Sequence, residues 1–421
     1  MSAHTSASDD WTRFVDQWVE RARADDRLRY LARDVEVAFT WRYGDRALWM
    51  SFRDGRLDEV ASDAHLSRTN AFDLVAPAHV WDKVWQQVPP RHFQGIFAIM
   101  MRCPEFHLAG DHLAFAQNAH IVRRLIDLAR EPGLPYEAPA LDNSGLSNII
   151  GRYLRVDLAD GPHRIYVEEA GEGQPLLMLH TAGSDSRQFQ HLMANPGLQK
   201  NYRMIAFDLP LHGRSDPECE VVAGKWSLTT SYYHDAILRV VEELGLRDPI
   251  AIGSSMGGEI CLELAISGAS VFRGVVACQA SSHIDGRMVR WAGHPQVNES
   301  LFNATWVADL MSPSSPERYR DEVWWQYSQG GHGIFRGDID FYSGDWDARD
   351  RVSQIDTAEC KVVILNGEYD YSCTAEHSKE TADQIAGAQF TVMKNLGHFP
   401  MSENPALFLE YLEPALEHIQ S

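Results

Sequence analysis

Residues 250–258 read Ile-Ala-Ile-Gly-Ser-Ser-Met-Gly-Gly, and no other stretch limits the fold so strongly. A β-branched run ends in Gly-x-Ser-x-Gly, and a helical pattern follows over residues 259–266. A strand that turns into a helix this abruptly strains the residue at the bend. The residues two before and two after that serine come close together, and Gly253 and Gly257 are small enough to do so. The hydroxyl is then held clear of the backbone at a helix N-terminus, where amide N–H groups and the helix dipole face a developing negative charge. Ser255 is the expected nucleophile. Its neighbour Ser254 lacks glycine at both flanking positions.

The chain around this turn repeats one pattern. Residues 153–158 and 163–169 form a hairpin about Asp160-Gly161. Apolar strands of the buried parallel type follow at 175–180, 202–208, 250–252, 272–278 and 361–365, each leading into a helical pattern. Strands alternating with helices predict an α/β fold with a doubly wound, mostly parallel sheet. Its chemistry belongs at the carboxyl ends of the strands.

The first part of the chain reads differently. Residues 9–32 carry apolar side chains at helical spacing, with Ser8 or Asp9 as a cap. Strands at 35–43, 46–52 and 56–60 are separated by Gly44-Asp45 and Asp54-Gly55, which predicts an antiparallel meander. A strand at 72–75 precedes helices at 77–88, 93–101 and 112–130. This α+β order resembles the sterol-carrier-protein lipid-binding domain. The resemblance rests on the strand–turn–strand opening, the Phe72-Asp-Leu strand, the helix carrying Trp81 and Trp85, and the Gly110-Asp111 turn. It implies an apolar ligand held between sheet and helices. The competing reading is that these rings form an ordinary core, in a module that packs or forms a homodimer. The expected domains are 1–132, a Pro-rich linker at 133–150, and 151–421.

From residue 150 onward the chain resembles the α/β-hydrolase family. His180-Thr-Ala-Gly183 lies where that family keeps its oxyanion loop, although Thr181 replaces the usual glycine. The resemblance implies oxyanion donors at the N–H groups of Ala182 and Met256. Residues 208–216, Asp-Leu-Pro-Leu-His-Gly-Arg-Ser-Asp, are similar to a structural turn of the family, with Leu211 where its first glycine stands. Residues 365–370, Leu-Asn-Gly-Glu-Tyr-Asp, end a strand at the family's carboxylate position. Asp370 is expected there, with Glu368 as the rival. Gly397-His398 precedes the last helix and matches the base position. The order Ser255, Asp370, His398 is that of this family.

About 80 residues separate the strands at 272–278 and 361–365, and they are rich in tryptophan. Residues 282–345 are the expected helical cap, with Trp306, Trp324, Trp325, His180 and Phe399 as substrate-binding candidates. In this fold the histidine at position 180 also reads as a brace for its loop. The resemblance implies a serine hydrolase that cleaves a carboxylic ester or lactone of a largely apolar or aromatic substrate. A C–C bond hydrolase acting beside a ketone is the alternative enzyme. A lipid-binding or scaffold protein is the alternative from another class.

Composition narrows the partners. A formal charge of −21 disfavours nucleic acid and anionic membranes. His294 and His332 are isolated, so no metal and no cofactor are expected. The six cysteines form no C-x-x-C pair and read as reduced or buried thiols. No signal peptide or membrane span is legible, which makes the cytoplasm the expected location.

Overall fold

The computed structural model describes residues 7–62, 68–130, 140–217, 224–285 and 290–421. The chain divides into two units, residues 1–135 with 296–305, and residues 136–295 with 306–421. The linker expected at 133–150 lies outside the described residues up to 139; a one-turn helix at Ser144–Asn148 and the first strand of the second unit occupy the rest.

In the first unit, α1 (Ala7–Ala24) and α2 (Asp26–Leu31) replace the single helix expected over 9–32. The break falls at Asp25. Its carboxylate accepts from the Leu28 N–H and from Arg124 Nε at 3.0 Å, so it caps a second helix rather than continuing the first. Ser8 and Asp9 lie inside α1 and not at its start. Strands β1 (Val37–Tyr43), β2 (Arg46–Arg53) and β3 (Arg56–Ser62) form the antiparallel meander. β4 (Phe72–Ala76) then pairs parallel with β1, and β5 (His107–Gly110), which is too short to read from sequence, pairs antiparallel with β4. The order is β3-β2-β1-β4-β5.

Helices α3 (Ala78–Val84), α4 (Ile96–Arg102) and α5 (His112–Ala129) complete this unit. Asp111 starts α5 by accepting from the N–H groups of Leu113 and Ala114. Trp18, Trp41, Trp81, Phe39, Phe72 and Phe115 fill the interior and are no more than 1% exposed. Two buried indoles find carbonyl acceptors at 2.8 Å, Trp18 on Leu125 and Trp81 on Arg42. Where the resemblance implied an apolar ligand, these rings pack as core. Residues 296–305 belong to this unit although they lie inside the stretch expected as cap. The Phe302 ring sits 5.7 Å from Phe97, and Gln117 Nε2 donates to the Gln296 carbonyl. The expected boundary at 132 and the expected cap are corrected to that extent.

The second unit holds a nine-stranded sheet among the described residues. Its strands are β6 (Ile150–Leu158), β7 (Gly161–Ala170), β8 (Gln174–Leu179), β9 (Tyr202–Phe207), β10 (Asp216–Pro217), β11 (Ile250–Ser254), β12 (Gly274–Cys278), β13 (Lys361–Gly367) and β14 (Gln389–Met393). The order is β10-β7-β9-β8-β11-β12-β13-β14, with β6 paired to β7. From β9 to β14 along this path every pair is parallel. β11 and β12 are buried at every residue, because helices cover both faces. The carboxyl ends of β8, β11 and β13 carry the His180 loop, the Ser255 turn and Asp370 respectively.

Cys103, Cys261, Cys278, Cys360 and Cys373 are buried free thiols, and Cys219 lies outside the described residues. Among the described residues, no helix is long and apolar enough to cross a membrane, and no group of three His, Cys, Asp or Glu is placed to hold a metal ion.

Trp18→Ala empties the centre of the first unit and breaks the bond to Leu125. Urea unfolding followed by circular dichroism should show a loss of about 3–5 kcal/mol.

Candidate active site

β11 ends at Ser254, and the helix Met256–Ser267 begins one residue after the bend. Ser255 takes φ 57° and ψ −122°, a backbone state that L-residues rarely occupy. A Cβ on Gly253 would lie 2.3 Å from the Gly257 carbonyl oxygen, and one on Gly257 would lie 2.3 Å from that of Leu179 in β8. Larger residues at either position would push the turn apart. The Ser255 hydroxyl does not cap the helix it begins, and the residue is 4% exposed. Ser254 is committed elsewhere. Its hydroxyl lies 2.7 Å from Gln279 Oε1 and 2.8 Å from the His398 carbonyl. That second contact docks the His398 loop against the turn.

His398 Nδ1 donates to Asp370 Oδ2 at 2.6 Å, and both side chains are buried. Asp370 Oδ1 accepts from the Ser372 N–H at 2.7 Å, which fixes the carboxylate plane. With Nδ1 donating, Nε2 is the nitrogen left to take a proton. Glu368, the rival acid, is occupied by Lys394 Nζ at 2.9 Å and by the Asn395 N–H. It takes no part in the pair.

Glu403 holds the His398 loop, and nothing in the sequence distinguished it from a surface acid. It is fully buried. Its Oε1 accepts from the N–H groups of Gly397 and Phe399, one on each side of His398. Its Oε2 accepts from the Ser312 N–H and the Ser315 hydroxyl. Burial pushes this carboxyl up to about 7, against the pull of those four donors.

The oxyanion loop is held by a second buried acid that the sequence did not reveal. Asp338 Oδ2 accepts from the Gly183 N–H at 2.7 Å and from His212 Nε2 at 2.8 Å, while Oδ1 accepts from Trp226 Nε1. Thr181, where glycine is usual, gives its N–H to Gln188 and shares its hydroxyl with Tyr327. Among the described residues, the N–H groups of Ala182 and Met256 meet no protein acceptor. His180 braces its loop through both ring nitrogens. Its Nδ1 donates to the Thr181 carbonyl and its Nε2 accepts from the Leu209 N–H. Burial, with His212 nearby, pushes it down to about 4, so it stays neutral. The turn at 208–216 is structural. Asp208 accepts from the N–H groups of Ser186 and Arg214, and Leu211 adopts φ 69° in place of the expected glycine.

The aromatic candidates separate. Phe399 lies 4.9 Å from the His398 ring, followed by Tyr327 at 5.5 Å, Phe335 at 6.2 Å and Trp306 at a further 6.2 Å. Phe399 and Trp306 therefore belong to one row of rings that starts at the histidine. Trp325 is 55% exposed, with Arg187 over its ring, and it is not part of that row. Trp324 is partly buried on the same helix.

Two variants test the buried acids. Burial alone lowers His212, but Asp338 outweighs it and holds the imidazole above its ordinary value. A raised histidine contributes stability that is complete below its unfolded value, about 6.5, and is lost as pH rises through the folded value. Asp338→Asn should cost about 3–5 kcal/mol near pH 6, and urea titrations at rising pH should show that difference shrink. Glu403→Gln sets an amide against two N–H donors. It should slow phosphonate labelling of Ser255 about ten- to a hundredfold through a displaced His398, and the low-field Nδ1 proton resonance of His398 should broaden.

A model of the alpha/beta hydrolase family matches residues 176–411. The chain is 30% identical over 131 residues to the dihydrolipoyllysine-residue acetyltransferase component of the acetoin cleaving system of Cupriavidus necator, which covers 31% of this chain and 32% of that protein. It thus spans about a third of that relative's length. It is 24% identical over 264 residues to the 2-hydroxymuconate semialdehyde hydrolase of Pseudomonas sp. strain CF600, covering 58% of this chain and 87% of the relative. A thermophilic esterase from Thermogutta terrifontis has a similar fold, with a TM-score of 0.56 at 19% identity over 64% of this chain and 100% of its own. The family model takes in more than half of the residues, and the chain belongs to the alpha/beta hydrolase family.

Proposed function

We propose that the protein is a serine hydrolase that cleaves a carboxylic ester or lactone through an acyl-enzyme. The observation that carries this reading is the buried 2.6 Å pair of His398 and Asp370, docked beside the strained Ser255 turn. His398 Nε2 takes the proton of Ser255 as its oxygen attacks the carbonyl carbon. The N–H groups of Ala182 and Met256 hold the oxyanion. His398 returns the proton to the leaving oxygen as the C–O bond breaks. Water then repeats the sequence on the acyl-enzyme and frees Ser255. The ring row from Phe399 to Trp306 favours an apolar or aromatic substrate. The helical stretch from Trp306 to residue 345 is the proposed cover that keeps water out.

An organophosphonate probe should label Ser255, and Ser255→Ala should remove both the label and turnover of an ester panel. Asp370→Asn should lower kcat by about 10⁴-fold, because the imidazole loses its tautomer. An unlabelled Ser255 in folded protein would overturn the reading and favour a binding role.

A second reading is hydrolysis of a C–C bond beside a ketone. The likeness to the semialdehyde hydrolase favours it. Here the electron pair of the breaking C–C bond would leave as a carbanion, so a proton must reach that carbon as the bond breaks. A ring-cleavage dienoate mixed with the protein decides between the two. Loss of its visible absorbance, with esters left intact, selects C–C cleavage.

A further inference from the structure

The first unit contains a cavity of about 810 Å³ with no part in the chemistry at Ser255. It opens at the β1–β2 turn, between α1 and the residues that follow α3. Four rings make its wall. Trp11 lies 4.8 Å from Tyr43 and 5.8 Å from Phe14, and Phe14 lies 5.9 Å from Trp85. All four are partly exposed, so their faces reach the cavity.

The other lining residues define the ligand. Among the described residues, the only aliphatic side chains lining it are the methyl groups of Ala78 and Ala129. Most of the other described lining residues are polar or charged, which suits an acyl chain or a sterol poorly. Carboxylates stand on the rim at Asp10, Asp45 and Asp82. Of the two lining arginines, Arg21 is bound to the carbonyls of Leu128 and Ala129. The other, Arg46, holds its guanidinium 5.5 Å from the Trp11 centroid. The wall therefore already carries one cation of the chain itself. Aromatic faces attract cations through their quadrupole, and nearby carboxylates add Coulombic attraction.

We propose that this cavity binds a small organic cation of the alkylammonium class, seated on the faces of Trp11, Phe14, Tyr43 and Trp85 and balanced by Asp45 and Asp82. The volume lies within the range of small-molecule sites. The ligand competes with Arg46 for the Trp11 face.

The test is calorimetry on the full chain, with choline as probe and its uncharged carbon isostere, dimethylbutanol, as control. Choline should bind saturably, and the isostere about tenfold more weakly or not at all. Trp11→Ala should abolish binding. Asp45→Asn, in an exposed turn where folding is not at stake, should weaken it severalfold. Arg46→Gln should tighten it, because the face is freed. Phosphonate labelling of Ser255 should stay unchanged in all three variants. The proposal falls if choline shows no saturable heat, if the isostere binds equally well, or if Arg46→Gln weakens binding. A gain for acetate over choline would mark an anion site and would also overturn it.

Discussion

The second unit depends on one bend in the backbone. At Ser255 the chain leaves β11 and enters a helix with a positive φ. The neighbouring glycines bring the turn to within contact of β8. Such a conformation persists only when its surroundings over-determine it. Here they do so from several sides. The Ser255 N–H is bound to the Cys278 carbonyl at the end of β12, and the Ser254 hydroxyl is bound to the His398 carbonyl. The strain is therefore held by a buried, close-packed parallel sheet.

Around this bend the loops are aimed by buried carboxylates. Glu403 accepts four bonds and Asp338 three, and neither reaches solvent. A buried acid with every oxygen engaged positions main chain more firmly than an apolar contact, because moving the loop leaves a charge without donors. Each acid joins two segments far apart in sequence. Glu403 ties the His398 loop to Ser312 and Ser315, and Asp338 ties Gly183 to His212 and Trp226. The loops on the two sides of the Ser255 turn are thereby set independently.

What was legible in the sequence was local. Ser255, Asp370 and His398 each sit in a short pattern that names its own turn, and the alternation of apolar strands with helices announces the sheet. Glu368 and Asp370 were separated by position, and the Lys394 contact gives the physical reason. The strands β5, β10 and β14 were hidden because each has only a few residues at or near a sheet edge. The helix break at Asp25 was hidden because the cap depends on Arg124, about 100 residues away. Glu403 and Asp338 were illegible for the same reason. Their partners come from elsewhere in the chain, and in sequence an acid beside Pro400 or Gly337 reads as solvated. The exposure of Trp325 was illegible because ring size says nothing about which side of a helix faces the interior.

The first unit is discontinuous, and this bears on how the protein can be divided. Phe302 is sequestered against Phe97, although some 200 residues of chain lie between them. A fragment beginning after residue 135 would keep residues 296–305 but lose the surface that shelters them. That greasy flank would then meet water, and the excised piece would be prone to clump even with its sheet intact. Any dissection meant to ask what each half does must carry a polar replacement at residue 302, or supply the missing portion as a separate chain.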